Sequence, residues 1–310
     1  MWSMALRAPT RSSAAVAAVA LLRASRAHLP WPAPGLLAVT PYVVVLAADE
    51  CRRSFRAGRH GSASLAGAAA LALGAPLLRR ATGAPEPAAP GSRVLRIVSA
   101  NVLEGQASVP ALAALIAAEQ PDVLLLQEAD APFRARLAAA GAAAELPHAV
   151  EAATTALWSR WPLERPAAKA LEHRAESVAA NVCLAGGRPV PMLSPHPWPP
   201  ILPQDVAPWQ RLLAALPGPG PGSPLEGGII AGDLNSSLDQ AEFRAVLGRG
   251  WKDAAASAGR GLLPTIRSGV WLATIDHVLV PPDAVVLDYR TANLPGSDHR
   301  ALIVGLALPA

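Results

Sequence analysis

A Pro/Ala/Gly segment at residues 81–92 divides the chain into two parts of different character. Its sequence, ATGAPEPAAPGS, offers no apolar face that a helix or strand could bury, and segments of this composition act as semi-rigid spacers. The 80 residues before it are Ala-rich and apolar, whereas residues 93–310 alternate short apolar runs with amphipathic ones. We therefore predict an N-terminal region at 1–80, a linker at 81–92 and a single folded domain at 93–310.

The charge of the chain is distributed unevenly across this boundary. Residues 1–92 contain ten Arg and three acidic residues, and residues 93–310 contain 17 Lys/Arg and 20 Asp/Glu, so the two parts carry net charges of +7 and −3. A basic chain often indicates a nucleic-acid-binding surface, but here the basic residues flank apolar segments, where they are typical of membrane topology signals. The net charge therefore does not support nucleic-acid binding by the folded domain.

Three uncharged apolar segments in the N-terminal region are candidates for membrane helices. Residues 62–78 and 29–48 contain seventeen and twenty residues, close to the roughly 20 that cross a bilayer, and residues 12–22 form a shorter third candidate. Trp31 lies near the start of the second segment, where an anchor at headgroup level is typical. We expect two or three of these segments to be transmembrane helices that anchor the folded domain to the membrane.

The number of membrane helices decides on which side of the membrane the domain lies. Two helices would leave the N-terminus and the domain on one side, whereas three would put the Arg-rich loop at 52–59 in the cytoplasm and the domain outside. The positive-inside rule favours three helices, so we predict a multi-pass cell-membrane protein with an extracytoplasmic domain. Two alternatives stay open: a signal peptide, for which no convincing cleavage site follows, and buried helices of a soluble fold.

Short apolar runs in residues 93–310 predict strands that alternate with helices. Strands are expected at 93–100, 123–126, 154–159, 177–184, 189–194, 228–231, 274–280, 284–290 and 300–306. Helices are expected at 109–119, 132–140, 204–216 and 238–247. Helices come early and between strands, and several strands follow one another directly, an order that indicates β-sheets packed face to face with helices outside.

Polar side chains gather at the ends of the predicted strands. They are Asn101, Glu128, His196, Asp233, Asn235, Asp276, Asp298 and His299. Each one alone has an ordinary explanation as a turn residue, a helix cap or a solvated side chain, and Gly-Asp233-Leu-Asn235 is typical of an Asx-turn. Asp276 is the exception, because an ionised carboxylate inside a strand needs a partner.

Together these side chains form the set that phosphoester hydrolysis at a hard divalent cation requires. Carboxylates such as Glu128 and Asp298 are ligands that Mg²⁺ prefers. A His held by a carboxylate accepts a proton from water near neutral pH, and Asn side chains bind phosphate without adding negative charge. Cys51 and Cys183 lack the spacing of a zinc site or of a disulfide framework, so neither is expected.

These residues lie in seven short motifs that follow one another in a fixed order. The motifs are Ser-Ala-Asn101, Leu-Gln-Glu128, Trp-Ser-Arg-Trp-Pro, Pro-His196-Pro, Gly-Asp233-Leu-Asn235, Ile-Asp276-His-Val-Leu and Ser-Asp298-His299. Over about residues 93–310 the series resembles the endonuclease/exonuclease/phosphatase superfamily of DNase I-like, metal-dependent phosphoesterases, and the apolar N-terminus is similar to its membrane-anchored bacterial branch. The resemblance implies an α/β fold, a four-layer αββα sandwich of two mixed β-sheets flanked by helices, with the site at one mouth of the sheets.

The resemblance also implies which residues bind the metal ion and which one activates water. Glu128 would be the main ligand of a Mg²⁺ ion, with Mn²⁺ as the alternative metal, and Asn101 and Asp298 would assist it. His299 would be the general base that activates water, and Asp276 would orient it. Hydrolysis would then proceed by in-line attack of this water on phosphorus.

The remaining motif residues would act on the phosphate. By resemblance, Asp233 and Asn235 would position the nucleophile and the scissile phosphate, and His196 would contact a phosphate oxygen and stabilise the transition state. Some relatives carry a further acidic residue two positions after the first Asn, and this chain has Leu103 there, so a second metal ion is not supported. We expect His277, which points to the opposite side of its strand, to be structural.

Two hypotheses about the substrate share this chemistry. The first is a membrane-anchored phosphodiesterase or phosphatase acting on phospholipid headgroups or small phosphorylated molecules, because the domain is acidic and lacks a basic run with interleaved aromatics. The alternative is a nuclease acting on DNA or RNA. The residues that would form its phosphate track are Arg134, Arg136, Arg160 and Arg165. A third hypothesis is a catalytically silent domain that binds a lipid or a protein, and no obligate protein partner is inferred.

Overall fold

The computed structural model describes residues 8–25, 27–165, 177–269 and 271–309. Its N-terminal part is a bundle of four helices, α1 Arg11–Ala24, α2 Ala33–Ala38, α3 Thr40–Arg56 and α4 His60–Ala81. Thr10 caps α1, since its hydroxyl accepts a hydrogen bond from Ser13 N at 3.1 Å. Small side chains such as Ala47 and Ala66 are fully buried where the helices meet, so the Ala-rich sequence allows close helix packing.

Among the described helices, α4 is the one that is long and apolar enough to cross a membrane. The expectation of a single helix over 29–48 is wrong, because the chain breaks at Val39 between α2 and α3 and Pro41 occupies the first turn of α3. The shorter candidate at 12–22 lies inside α1, which has 14 residues. The presence of two or three membrane-spanning helices therefore remains a prediction, and among the described helices only α4 is long and apolar enough to support it.

The helical bundle contacts the folded domain directly through Asp239. The Asp239 carboxylate, which is 1% exposed, accepts hydrogen bonds from Arg23 Nε of α1 at 2.7 Å and from Arg80 Nη2 of α4 at 2.6 Å. Gln240 Nε2 donates to Pro34 O of α2 at 2.9 Å. Residues 82–92 form neither helix nor strand. Buried polar contacts therefore hold the N-terminal helices against the domain in addition to the covalent connection.

Asp239→Ala is expected to destabilise the folded chain by about 3–5 kcal/mol, because it leaves two mostly buried guanidinium groups without their counter-charge. The measurement is the midpoint and slope of urea unfolding of the full-length chain. Asp49→Ala is the matched control, since Asp49 pairs with Arg52 at 2.6 Å on the exposed side of the bundle and surface pairs contribute little. Equal unfolding midpoints for the two variants would contradict this role of Asp239.

Within the described part of the folded domain, the strands form two six-stranded mixed β-sheets and a separate two-stranded pair. Its strands are β1 Arg93–Asn101, β2 Val123–Gln127, β3 His148–Glu151, β4 Ala156–Ser159, β5 Leu163–Glu164, β6 Ser177–Val182, β7 Val190–Pro195, β8 Ile229–Asp233, β9 Lys252–Asp253, β10 Ile266–Ser268, β11 Trp271–Ala273, β12 Asp276–Val280, β13 Val285–Asn293 and β14 Arg300–Leu308. Their order is β13-β14-β1-β2-β4-β3 in one sheet and β5-β6-β7-β8-β12-β9 in the other, and β10 and β11 pair separately. The pairs β1–β2 and β7–β8 are parallel, and the other pairs are antiparallel.

Side-chain alternation along the strands builds the layers of the domain. The helices are α5 Val109–Glu119, α6 Ala131–Leu137, α7 Ala143–Glu145, α8 Pro203–Ala214, α9 Ala241–Leu247 and α10 Ala254–Ser257. In β1, Ile97 belongs to the core between the sheets, whereas Val98 packs with Phe133 of α6 on the outer face. On the other side, Trp209 of α8 and Phe243 of α9 cover the second sheet. The four-layer αββα sandwich is therefore confirmed.

Several element boundaries differ from the predictions for local reasons. Helix α6 ends at Leu137 instead of residue 140, and a π-helical turn follows in which Gly141 has a φ of 104°. Helix α9 begins at Ala241 instead of residue 238, because Gln240 Oε1 accepts a hydrogen bond from Ser237 N at 2.6 Å in the turn before it. The edge strand β3 was not predicted, since four residues carry too short an alternation to be recognised.

Candidate active site

The polar residues predicted at strand ends come together at one edge of the two sheets. Strands β1 and β2 are parallel neighbours, with Asn101 opposite Gln127, so Asn101 and Glu128 emerge at the same edge. In the other sheet Asp233 at the end of β8 is paired with Asp276 at the start of antiparallel β12. Strand pairing therefore groups these residues within each sheet, and the packing of the two sheets brings both groups to a common mouth.

Asn101 connects Glu128 of one sheet to Asp233 of the other. Its Nδ2 donates to Glu128 Oε1 at 2.7 Å and to Asp233 Oδ2 at 3.1 Å, and its Oδ1 accepts from Leu103 N at 2.9 Å. Glu128 adopts a φ of 56°, and its Oε2 accepts from Glu104 N at 3.0 Å. Asn101 is fully buried, whereas the side chain of Glu128 is 23% exposed. The Glu128 carboxylate is thus fixed in orientation and still accessible from the mouth.

His299 is held by Asp276 at the centre of the mouth. His299 Nδ1 lies 2.9 Å from Asp276 Oδ2 and 3.1 Å from Oδ1, so it donates to a group that only accepts. Its other nitrogen, Nε2, lies 3.7 Å from Asp233 Oδ2 and 3.8 Å from Asp298 Oδ1. Thr265 Oγ1 accepts hydrogen bonds from the backbone N–H of Asp276 at 3.0 Å and of Ile275. The geometry leaves Nε2 as the ring nitrogen that faces the other site residues.

Burial and mutual repulsion shift the pKa values of two of these groups. Burial is the main cause that raises the pKa of Asp233 to about 6, and the charge of Asp276 adds to it. The charges of His299 and His196 oppose this rise. Burial by itself lowers the pKa of His299, but the carboxylates of Asp276, Asp233 and Asp298 outweigh it and raise the pKa to about 10. The negative charge concentrated at the mouth therefore favours a bound cation, either a proton or a metal ion.

His196 joins this cluster from the Pro-rich loop that follows β7. Its Nε2 lies 3.4 Å from Glu128 Oε1 and 3.7 Å from Asp233 Oδ2. Asn235 Nδ2 donates to Pro197 O at 2.9 Å and thereby supports this loop. Asp233 Oδ1 accepts from Asn235 N at 2.8 Å, which is the Asx-turn that the motif alone indicates. The structure places Asn235 beside the site, and its contact with phosphate stays a prediction.

The donor set fits a hard divalent cation. Two groups of described side chains have candidate ligand atoms within 4.8 Å of one another, Glu128–His196–Asp233 and Asp233–Asp276–His299. Oxygen atoms predominate in this set, as Mg²⁺ and related ions require. Asp298 belongs to neither group, but its Oδ1 is buried without a hydrogen-bond partner among the described residues, an arrangement that a cation would relieve. Of the three predicted ligands, the structure brings Glu128 and Asn101 into contact, while Asp298 lies next to His299.

Three side chains that sequence reasoning missed help to shape the mouth. Gln127 is fully buried, and its Nε2 donates to Ser194 Oγ of the other sheet at 2.8 Å. Ser297 Oγ donates to Asn101 O at 2.9 Å and accepts from His299 N at 3.0 Å. A polar residue that ends an apolar run, as Gln127 does after Leu-Leu-Leu, is the one sequence signal that would have identified any of them.

Of the four residues predicted to form a phosphate track, Arg134 and Arg136 make other contacts, whereas Arg160 and Arg165 are exposed. Arg134 is buried, its Nε lies 3.1 Å from Glu151 Oε2, and it donates to the carbonyl of Ala129. Arg136 Nη2 donates to Gly105 O at 3.2 Å. The expectation that Arg134 is part of an exposed basic track is therefore wrong, because the guanidinium closes a buried turn.

His277 faces away from the mouth, as its position next to Asp276 predicts. It is fully buried, with Nδ1 2.7 Å from Asp253 Oδ2 and Nε2 2.8 Å from Ser236 O. His277 therefore links β12 to Asp253, the residue that caps α10, and to the loop that follows Asn235.

His277→Ala is expected to lower the free energy of unfolding by about 3 kcal/mol, because it leaves Asp253 Oδ2 and the Ser236 carbonyl buried without donors. Urea unfolding of the full-length chain measures the loss. His148→Ala on edge strand β3, where the imidazole is partly exposed, is the control and is expected to change stability little. If both variants unfold at the wild-type midpoint, His277 has no such structural role.

Comparison with known proteins agrees with this architecture. The family model described as Endonuclease/Exonuclease/phosphatase family matches residues 98–299. An endonuclease/exonuclease/phosphatase from Beutenbergia cavernae DSM 12333 is similar with a TM-score of 0.54, 21% identity and coverage of 70% of this chain and 72% of its own. Truncated Caenorhabditis elegans TDP2 is similar with a TM-score of 0.51 and 16% identity, over 70% of this chain and 98% of its own.

A third solved structure, D. rerio TDP2 complexed with single strand DNA product, gives a TM-score of 0.50 and 17% identity over 69% of this chain and 98% of its own. No curated protein matches the chain. At these identities the solved structures show the fold alone, whereas the family model spans more than half of the chain and includes most of the site residues. The chain therefore belongs to the endonuclease/exonuclease/phosphatase family, whose members are divalent-metal-dependent enzymes that hydrolyse phosphoester bonds.

Proposed function

We propose that this chain is a membrane-anchored phosphoesterase in which His299 activates the water that attacks phosphorus. The observation that carries the proposal is the buried pair of His299 and Asp276 beside a cluster of carboxylates. Its distances are 2.9 Å from Nδ1 to Asp276 Oδ2 and 3.7 Å from Nε2 to Asp233 Oδ2. One ring nitrogen is thus engaged by a carboxylate, and the other faces the place where water and phosphate would meet.

Proton transfer in this mechanism takes place at His299 Nε2. Asp276 accepts the hydrogen bond of Nδ1, which fixes the tautomer with a free lone pair on Nε2 and stabilises the imidazolium formed when water loses its proton. Thr265 holds the backbone of Asp276 and so limits movement of the pair. Asp233, which neighbours His299, positions the attacking water opposite the leaving group.

The phosphate is bound by the residues on the other side of the mouth. Glu128, with Asn101 and Asp298, would hold the divalent ion, for which we propose Mg²⁺ with Mn²⁺ as the alternative. When bound, this ion supplies Lewis-acid stabilisation of the charge that develops on the phosphoryl oxygens. His196 donates a hydrogen bond to a phosphate oxygen in the transition state. Asn235 holds the His196 loop through Pro197 O and positions the phosphate beside it.

His299 acts as a base only when the surrounding negative charge is compensated. With a pKa of about 10 it holds a proton at neutral pH, whereas a divalent charge next to Glu128 and Asp298 opposes the carboxylates and lowers this pKa. An NMR titration of the imidazole is therefore expected to give a lower pKa in Mg²⁺ than in EDTA. Equal pKa values under the two conditions would contradict metal binding beside His299.

The proposed location is the cell membrane, with the catalytic domain on its extracytoplasmic side. The apolar N-terminal helices, and the arginines in the last turns of α3 and just before α4, support this topology through the positive-inside rule. Carbonate washing and protease treatment of intact cells test it. Release of the chain by carbonate, or protection of the domain from external protease, would contradict the anchored or the extracytoplasmic arrangement respectively.

The favoured substrates are phospholipid headgroups or small phosphorylated molecules, because the domain carries a net charge of −3 and Arg134 is buried. A nuclease activity is the second candidate, supported by the fold shared with a protein solved with a single strand DNA product. The test assays the full-length chain, in the presence of Mg²⁺, Mn²⁺ or EDTA, on phospholipid vesicles, on p-nitrophenyl phosphodiesters, and on DNA and RNA strands. We expect metal-dependent hydrolysis of the phospholipids and of the p-nitrophenyl phosphodiesters. If the chain cleaves none of the substrates, the proposal is overturned.

A further inference from the structure

We propose that a cavity between the N-terminal helices and the catalytic domain binds an alkyl chain of the substrate, so that the substrates are amphiphilic phosphoesters. The inference rests on the proposed phosphoesterase function and adds a binding site for the part of the substrate that does not react. It assigns the N-terminal helices a part in substrate recognition besides anchoring.

The cavity has walls from both parts of the chain. Its volume is about 240 Å³, and its largely apolar lining includes Ala38, Pro41, Tyr42, Leu238, Leu262 and Leu272. An apolar cavity of about 150 Å³ holds a benzene molecule, so this one has room for a chain of roughly ten carbon atoms. Tyr42 joins the two sides, since its hydroxyl accepts a hydrogen bond from Leu272 N at 2.9 Å.

This alkyl-chain cavity adjoins a groove that reaches Asp298 and His299. The groove has a volume of about 550 Å³ and is lined by Asp298 and His299, and Pro264 and Leu272 line both spaces. Pro264 and Leu272 therefore lie where the cavity and the groove meet. A substrate with its phosphate beside His299 can place an attached chain across Pro264 and Leu272 into the cavity.

Charge and exposure around the cavity match a chain that carries an oxygen at its head. Arg80 lines the cavity, and its Nε is buried without a hydrogen-bond partner among the described residues, although its Nη2 is paired with Asp239. An oxygen at the head of an acyl chain provides the missing acceptor. Leu262 in the cavity lining is 42% exposed, so the apolar surface continues outward from it. A chain drawn from a bilayer would thus move along apolar contacts.

The test compares p-nitrophenyl methyl phosphate with p-nitrophenyl decyl phosphate on the full-length chain, below the concentration at which the decyl ester aggregates. Both release the same leaving group, so only the alkyl part differs. We expect kcat/KM to be at least about 100-fold higher for the decyl ester, because burial of each methylene is favourable. Chain lengths beyond about ten carbons are expected to give no further gain, because the cavity is then full.

Ala38→Phe fills the cavity from the end of α2 and is expected to reduce the decyl-to-methyl ratio of kcat/KM below about 10. Ala48→Phe adds the same ring on the exposed face of α3 and is expected to keep the wild-type ratio. Where Ala38→Phe does not fold, Ala38→Leu repeats the test with a smaller insertion. A decyl-to-methyl ratio of kcat/KM near one in the wild type, or a ratio that is unchanged in the folded Ala38 variant, overturns the cavity assignment. If the wild type hydrolyses neither ester, the proposed function itself is overturned.

Discussion

His299→Ala is expected to lower kcat for phosphodiester hydrolysis by about 10²- to 10⁴-fold, because it removes the group proposed to take the proton from water. The metal affinity of the site is expected to stay near the wild-type value, since the predicted ligands Glu128 and Asn101 hold each other through the contact at 2.7 Å. Steady-state kinetics with saturating Mg²⁺ measure the first quantity, and calorimetric titration with Mg²⁺ measures the second.

Two further variants separate catalysis from folding in this experiment. Asp276→Asn keeps the size of the side chain but loses the carboxylate that orients His299, so we expect a smaller loss in kcat in the same direction. His148→Ala removes an imidazole on edge strand β3, away from the mouth, and is expected to leave kcat unchanged. Full activity in the His299 variant would show that another group is the base.

Glu128→Gln is expected to weaken binding of Mg²⁺ or Mn²⁺ by at least about 100-fold and to abolish most of the activity at physiological metal concentrations. Mg²⁺ is usually held through one or two carboxylates, so exchange of the main one for an amide removes most of the attraction. The amide keeps the shape of the side chain and an oxygen that can accept from Asn101, which limits the structural disturbance. Titration of Mn²⁺ followed by electron paramagnetic resonance gives the affinity directly.

The matched control for this variant is Glu104→Gln. Glu104 is exposed and lies beside Glu128, where its backbone N–H donates to Oε2, but it occupies no predicted ligand position. We expect Mn²⁺ affinity close to wild type, with one equivalent of metal bound, because Leu103 offers no second carboxylate at this edge. Unchanged affinity in Glu128→Gln, or a comparable loss in both variants, would remove Glu128 from its assigned position.

Local sequence patterns were sufficient to predict the strands that carry the site. The apolar runs before Asn101, Glu128 and Asp233 are strands of the two sheets, and their polar ends meet because adjacent strands end at the same edge. A buried carboxylate such as Asp276 was expected to need a partner, and the family resemblance implied that this partner is His299. The two side chains are in contact. The strand ends depend on a few neighbouring residues each, which is why a single sequence discloses them.

Contacts between distant parts of the chain were not predictable in the same way. Arg23 and Asp239 are 216 residues apart, and nothing in the surrounding composition indicates that they meet. Gln127 and Ser194 link the sheets through a hydrogen bond whose partners carry no local signal. The break of the 29–48 segment at Val39 likewise depends on how α2 packs on the domain, through contacts such as Gln240 with Pro34.

The pairing of Asp239 with Arg23 and Arg80 also limits how this protein can be reassembled from parts. Asp239 lies four residues after Asn235, so the segment that supports the His196 loop continues straight into the one that receives α1 and α4. A chimera that replaces the first 80 residues with an unrelated anchor would remove both guanidinium partners of the Asp239 carboxylate. Exchange of the N-terminal segment between relatives therefore keeps these contacts only when Asp239 and its neighbours are exchanged with it.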